Sequence, residues 1–155
     1  MRAYVEVFGL RPPRPRTGWT YIAARVVVYA LALVLLALIY STKARGLFIA
    51  PGIGLVGLAA TFYLLGDAPM DDRRRLVLAA GVGLLLAELT WAIGYWNVPA
   101  LVGGAGLWLA LYVLSGVIEH GATMTLDRRI ATEYGLVALI GALVILIVAR
   151  PWSAG

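Results

Sequence analysis

Glu88 is the residue whose type and position most strongly suggest chemistry. It lies about twelve residues into an apolar run covering 76–96, so roughly 18 Å from the start of that helix. In a membrane that depth is close to the midplane. A carboxylate there must face a bundle interior, find a partner, or take up a proton. At helical spacing it shares a face with Gly81, Leu84, Leu85, Trp91, Ala92 and Tyr95. The chemistry such a group offers is proton or cation binding, or contact with a ligand. The competing reading is structural: a carboxyl hydrogen-bonded to Thr90, to a tyrosine, or to a carbonyl of a neighbouring helix.

A second set of polar residues falls at helix ends. Arg25 lies about six residues into the first apolar run. It is expected to snorkel toward the inner headgroups. Its other option is Glu119, which sits at a similar depth near the end of the fourth run. Glu88 is deeper by roughly 9 Å, which would stretch a direct pair with Arg25. Glu119 and His120, with Asp127, Arg128, Arg129 and Glu133, form a polar cluster. Acid–base work on a lipid headgroup is conceivable there, and a solvated helix end is the simpler reading. Asp67, Asp71 and Asp72 precede Arg73, Arg74 and Arg75. Three aspartates could hold magnesium and a diphosphate, but the arginines would partly neutralise them, and a solvated loop is expected.

Several chemistries are excluded. The chain has no cysteine and a single histidine, so thiolate sites, disulfides and two-histidine zinc sites are ruled out. Ser41, Ser115 and Ser153 lack a nucleophile-elbow context. The run Gly52-Ile53-Gly54-Leu55-Val56-Gly57 follows no strand, so it is not a nucleotide loop. It reads instead as a flexible or kinked half-helix beside Pro51. No catalytic residue, metal site or cofactor is expected.

The elements that must position these groups follow from composition. Of 155 residues, 62% are hydrophobic and 14% charged, with a mean hydropathy of +0.89. A soluble domain carries about a quarter charged residues, so lipid is the expected solvent for most of the surface. Five apolar segments are read at about 19–40, 46–65, 76–96, 98–118 and 133–149. At about 1.5 Å per residue they span roughly 26–33 Å, near the hydrocarbon thickness of a bilayer. The fold class expected is all-α, an integral membrane bundle of about five helices. Residues 1–18 form a basic arm containing Arg11-Pro12-Pro13-Arg14-Pro15-Arg16, and 151–155 a short tail. Thr125 or Asp127 is expected to cap the fifth helix.

Charge gives an orientation. With the N-terminus inside, ten of the 13 basic residues face inward and three, Lys43, Arg45 and Arg150, face outward. The positive-inside rule therefore predicts an inner N-terminus and an outer C-terminus. Trp19, Tyr21 and Tyr134 fall near the inner boundary, and Tyr40, Tyr95, Trp96 and Trp152 near the outer one. The net charge of +5 is explained by this topology rather than by nucleic-acid binding, and the arm is expected to meet anionic lipid headgroups.

Small residues complete the pattern. Ala79, Gly83 and Ala87 form a smooth stripe on the third helix, and Gly106 and Ala110 a shorter one on the fourth. Such stripes let helix backbones approach closely, within one chain or between copies.

Tyr40-Ser41-Thr42-Lys43-Ala44-Arg45, Glu88-Leu89-Thr90-Trp91-Ala92 with Tyr95-Trp96, and Gly103-Gly104 are similar to stretches in a family of small bacterial membrane proteins known only as a domain of unknown function. The resemblance covers most of residues 20–150. It implies a polytopic envelope protein, no particular activity, and no catalytic residue.

Three functions remain open on these grounds. The leading expectation is a non-enzymatic accessory or scaffolding subunit of an envelope complex in the bacterial inner membrane, in a homo-oligomer or a larger assembly. The second is a small oligomeric transporter or channel using Glu88 for protons or cations. The third is an enzyme acting on lipid headgroups at the inner face.

Overall fold

The computed structural model describes residues 18–42, 46–68, 70–95, 98–122 and 128–149, of which 46, 47, 122, 128–131 and 149 are described in backbone only. The helices are α1 (Trp19–Ser41), α2 (Gly46–Leu64), α3 (Asp72–Gly94), α4 (Ala100–Ala122) and α5 (Arg128–Ala149), with a 3-10 turn at Leu65–Asp67. There is no strand among the described residues. The chain is the all-helical bundle that its apolar runs and lack of alternation predict. Four stretches, Trp19–Ser41, Phe48–Asp67, Asp72–Gly94 and Ala100–Gly121, are long and apolar enough to cross a membrane. The fifth apolar stretch, Thr132–Val148, is shorter.

Helix ends depart from the hydropathy boundaries. α3 starts at Asp72 instead of 76, α4 runs to Ala122 instead of 118, and α5 starts at Arg128 instead of 133. Apolar surroundings end where charged residues begin, but a helix ends only where its backbone bonds end. Asp71 takes the cap position of α3 with no side-chain bond, while its carbonyl accepts the Arg75 N–H at 2.9 Å. α2 is continuous through Pro51 and the glycine run. The caps expected at Thr125 or Asp127, the 1–18 arm except for Gly18, and the 151–155 tail lie outside the described residues.

Helices α1 to α4 form a closed ring, each touching the next and α4 returning to α1, while α5 packs mainly on α4. The core is built from Ala32 and Leu36 of α1, Ile49, Ile53 and Ala60 of α2, Val82 and Leu86 of α3, and Leu107 and Leu111 of α4. The described residues of α5 supply none of this cluster.

Glycines set two close approaches of helix backbones. On α3, Ala79 and Gly83 are buried and Ala87 half-buried. A Cβ at Gly83 would lie 2.5 Å from the Gly54 carbonyl oxygen of α2, and one at Gly57 would meet Leu86. The run read as a flexible half-helix is thus half of a backbone-to-backbone seam. On α4 the close approach to α1 is at Gly103 and Gly104, not at the Gly106–Ala110 stripe. A Cβ at Gly104 would lie 2.7 Å from Ala37 Cα, and Gly103 lies under the Tyr40 ring. Gly106 faces Ile93 and Ile145 at ordinary contact distances of 3.6 and 3.9 Å, and Ala110 is half-buried against the core. Tyr40 also donates its hydroxyl to the Ile93 carbonyl at 3.4 Å, which links α1 to α3 across the ring.

The arginine run divides. Arg73 and Arg74 are exposed. Arg75 instead folds back on α2: its Nε donates to the Phe62 carbonyl at 2.6 Å, and its guanidinium stacks 3.8 Å above the Phe62 ring. That carbonyl belongs to the last turn of α2, where no intrahelical donor remains. The cation also meets the negative end of the helix.

Two kinds of glycine should therefore behave oppositely. Gly83→Ala and Gly104→Ala place a methyl against backbone, and each is expected to lower the thermal midpoint by the equivalent of about 1–3 kcal/mol. At Gly135 of α5 a Cβ meets nothing within 4 Å, so Gly135→Ala should be neutral or stabilising by up to about 1 kcal/mol. Thermal unfolding in detergent or lipid discs reads all three.

Candidate functional site

The polar side chains collect on α4, which carries a ladder at a spacing of four: Trp108, Tyr112, Gly116 and His120. That spacing keeps them on one face. Its neighbour row carries Leu111, Ser115 and Glu119, which point toward α1.

The centre of the site is an ion pair. Both terminal nitrogens of Arg25 reach the Glu119 carboxylate, Nη1 to Oε1 at 2.8 Å and Nη2 to Oε2. Each side chain is 21% exposed. Nη1 also donates to the Tyr21 hydroxyl at 2.8 Å, one helical turn earlier. The guanidinium stands 5.3 Å from the centre of the Tyr21 ring. Arg25 therefore does not snorkel away from the bundle; it closes on Glu119 in a two-point fork that only arginine can form. Its Nε is buried without a hydrogen-bond partner.

One turn along α1, Tyr29 makes the second link. Ser115 Oγ donates to the Leu111 carbonyl at 2.7 Å. With that single proton committed, the 3.0 Å contact between Tyr29 and Ser115 has the tyrosine as donor. Trp108 Nε1 donates to the Tyr29 carbonyl at 2.9 Å. The rings then pack in sequence. Tyr29 lies 6.3 Å from Trp108 and 5.5 Å from Tyr112, and Trp108 stacks on Tyr112 at 6.1 Å and 20°. Tyr112 reaches Tyr134 of α5 at 5.8 Å, and Tyr134 meets His120 edge-on at 5.5 Å. The Tyr134 ring occupies the space that a side chain at Gly116 would fill. His120 Nδ1 lies 2.9 Å from the Gly116 carbonyl, which only accepts, so that nitrogen carries the proton.

Glu88 does not join this site. It is exposed on α3, not turned to the bundle interior. The buried residues of α3 include Leu86 and Thr90, each two positions from Glu88 and hence about 200° around the helix. Thr90 donates its hydroxyl to the Leu86 carbonyl at 2.7 Å, not to the carboxyl. Asp71 and Asp72 are exposed at the start of α3. Among the described residues, no group of three His, Asp or Glu side chains is placed to hold a metal ion. An open groove of about 430 Å³ runs between α1 and α2, lined by Val28, Leu31, Leu35, Leu55, Ala59 and Tyr63 among others. It is apolar and separate from the ion pair.

Sequence reasoning named Arg25, Glu119 and His120 but missed Tyr29, Trp108, Tyr112, Ser115 and Tyr134. The signal was the four-residue recurrence of large rings along 108–120, which fixes one face before any partner is known.

A family model described as a protein of unknown function, DUF5656, matches residues 3–148. The chain belongs to the DUF5656 family. No curated protein and no solved structure matches it. Within this DUF5656 chain, two of the stretches that prompted the resemblance meet in space: Tyr40 sits on Gly103, beside the Ala37–Gly104 contact.

Tyr134 is the main peg between α5 and the ring. Tyr134→Ala should speed amide exchange along α5 while α1 to α4 stay protected, at a cost of about 1–3 kcal/mol. Tyr134→Phe keeps the ring and should change exchange little. Equal protection of α5 in both variants would contradict this role.

Proposed function

We propose that this DUF5656 protein is a non-enzymatic integral membrane protein of the bacterial inner membrane, serving as an accessory or scaffolding subunit of an envelope complex. Its N-terminus lies inside, as the ten-to-three partition of basic residues favours. The observation that carries the reading is where the polar groups go. Arg25, Glu119, Tyr29, Ser115 and Trp108 hydrogen-bond to one another and to backbone, so they tie α1 to α4. Glu88, by contrast, is turned away from the bundle.

Apolar exposure supports the same reading. Leu84, Trp91 and Tyr95 of α3 and Leu139, Ile140 and Ile147 of α5 are all more than half exposed. In water such a surface aggregates; in a bilayer it meets lipid or other helices. The second reading, a carrier of protons or cations, draws on Glu88 as well. Its outward placement would put the path between subunits, not through one chain.

The test is mass in the native bilayer. Extracted into polymer-bounded discs with its own lipid, the protein is expected to run as an assembly larger than one 16.6 kDa chain. A single chain at every lipid dilution would contradict the scaffold.

A further inference from the structure

The outward face of α3 has a repeat that the bundle does not use. Val77, Gly81, Leu84, Glu88, Trp91 and Tyr95 fall at alternating steps of four and three, the spacing of a two-helix seam. All six are exposed, and a Cβ at Gly81 would meet nothing within 4 Å. α5 is also bare, but its described face from Leu136 to Val148 is aliphatic and is satisfied by lipid alone. Of the two described faces only that of α3 carries a carboxyl inside the apolar stretch, about 9 Å before the helix ends at Gly94, where lipid cannot hydrogen-bond it.

We propose that this face is the contact between two copies of the chain, α3 running parallel to α3 with Glu88 against Glu88. The proposal rests on the membrane reading above. Two copies with the same orientation in one bilayer are related by an axis along the membrane normal. Their α3 helices are then parallel, and each seam residue meets its own counterpart. A carboxyl donates when it holds a proton and accepts otherwise, so two Glu88 side chains that hold one proton between them make a donor–acceptor pair without a third residue. Gly81, one heptad away, lets the backbones come close beside that pair. A single polar residue in an apolar seam also fixes register, since any slip separates the two carboxyls.

The chain has no cysteine, so single cysteines report contacts directly. Leu84→Cys and Trp91→Cys, oxidised in liposomes at high lipid-to-protein ratio, are expected to give a disulfide-linked species of twice the chain mass. Leu139→Cys and Ile147→Cys on α5 are not. Added to Leu84→Cys, Glu88→Gln should preserve cross-linking because an amide also donates and accepts. Glu88→Leu should weaken it roughly ten-fold, with an unchanged melting curve showing that the bundle is intact. Cross-linking on α5 in place of α3, a product with a different protein, or full cross-linking in Glu88→Leu would each overturn the proposal. An oligomer by mass that fails to cross-link at Leu84 or Trp91 would overturn this contact and leave the scaffold reading standing. A monomer by mass would remove both.

Discussion

The contact between Arg25 and Glu119 joins residues 94 positions apart, and the closed ring depends on it. α2 and α3 follow one another and would pair as a hairpin in any case. α1 and α4 have no such connection. Something must select that pairing over the other ways of arranging four apolar helices, and greasy contacts alone discriminate weakly. A charged fork does so strongly, because any arrangement that separates Arg25 from Glu119 breaks a two-point pairing of two partly buried charges. Tyr29 with Ser115, and Trp108 with the Tyr29 carbonyl, set the rotation of α1 on α4 once the pair has formed.

Small residues divide the remaining work. Gly54 and Gly83 bring α2 onto α3, while Gly104 brings α4 onto α1. Both contacts are close enough for backbone to meet side chain or backbone directly, so dispersion acts over many atoms at once. Among its described residues α5 has no comparable backbone seam. It rests on α4 through Tyr134 over Gly116 and Leu109 beside Gly141, and its outward residues stay bare. The ring is the structural unit, and α5 is an addition to it.

Much of the ring was legible in the sequence. Apolar runs of bilayer length gave the helices, and Ala79, Gly83 and Ala87 marked the side of α3 that packs. The ends were less legible because Asp72, Arg128 and Glu119 are polar yet remain helical, so hydropathy stops before the backbone does. The site was half legible. Depth put Arg25 level with Glu119, but depth alone does not give azimuth, and snorkelling was the simpler expectation. Azimuth also explains the outward turn of Glu88. The preference of a carboxyl for the interior is one weak vote on the rotation of α3, and the close packing of Ala79, Gly83, Leu86 and Thr90 against the bundle outweighs it. The aromatic ladder on α4 was spelled out by its spacing, but its partners Tyr29 and Tyr134 come from other helices and needed the fold.

The most direct test of the account is a double-mutant cycle on the ion pair. Arg25→Met, Glu119→Leu and the combination are compared with the parent chain by thermal or denaturant unfolding in lipid discs. If the fork selects and holds the α1–α4 pairing, each single change should cost about 2–4 kcal/mol. The double change should then cost clearly less than their sum, with a coupling of at least about 1 kcal/mol. Single costs that simply add, with no coupling, would mean that the two residues act separately and that the ring closes for another reason.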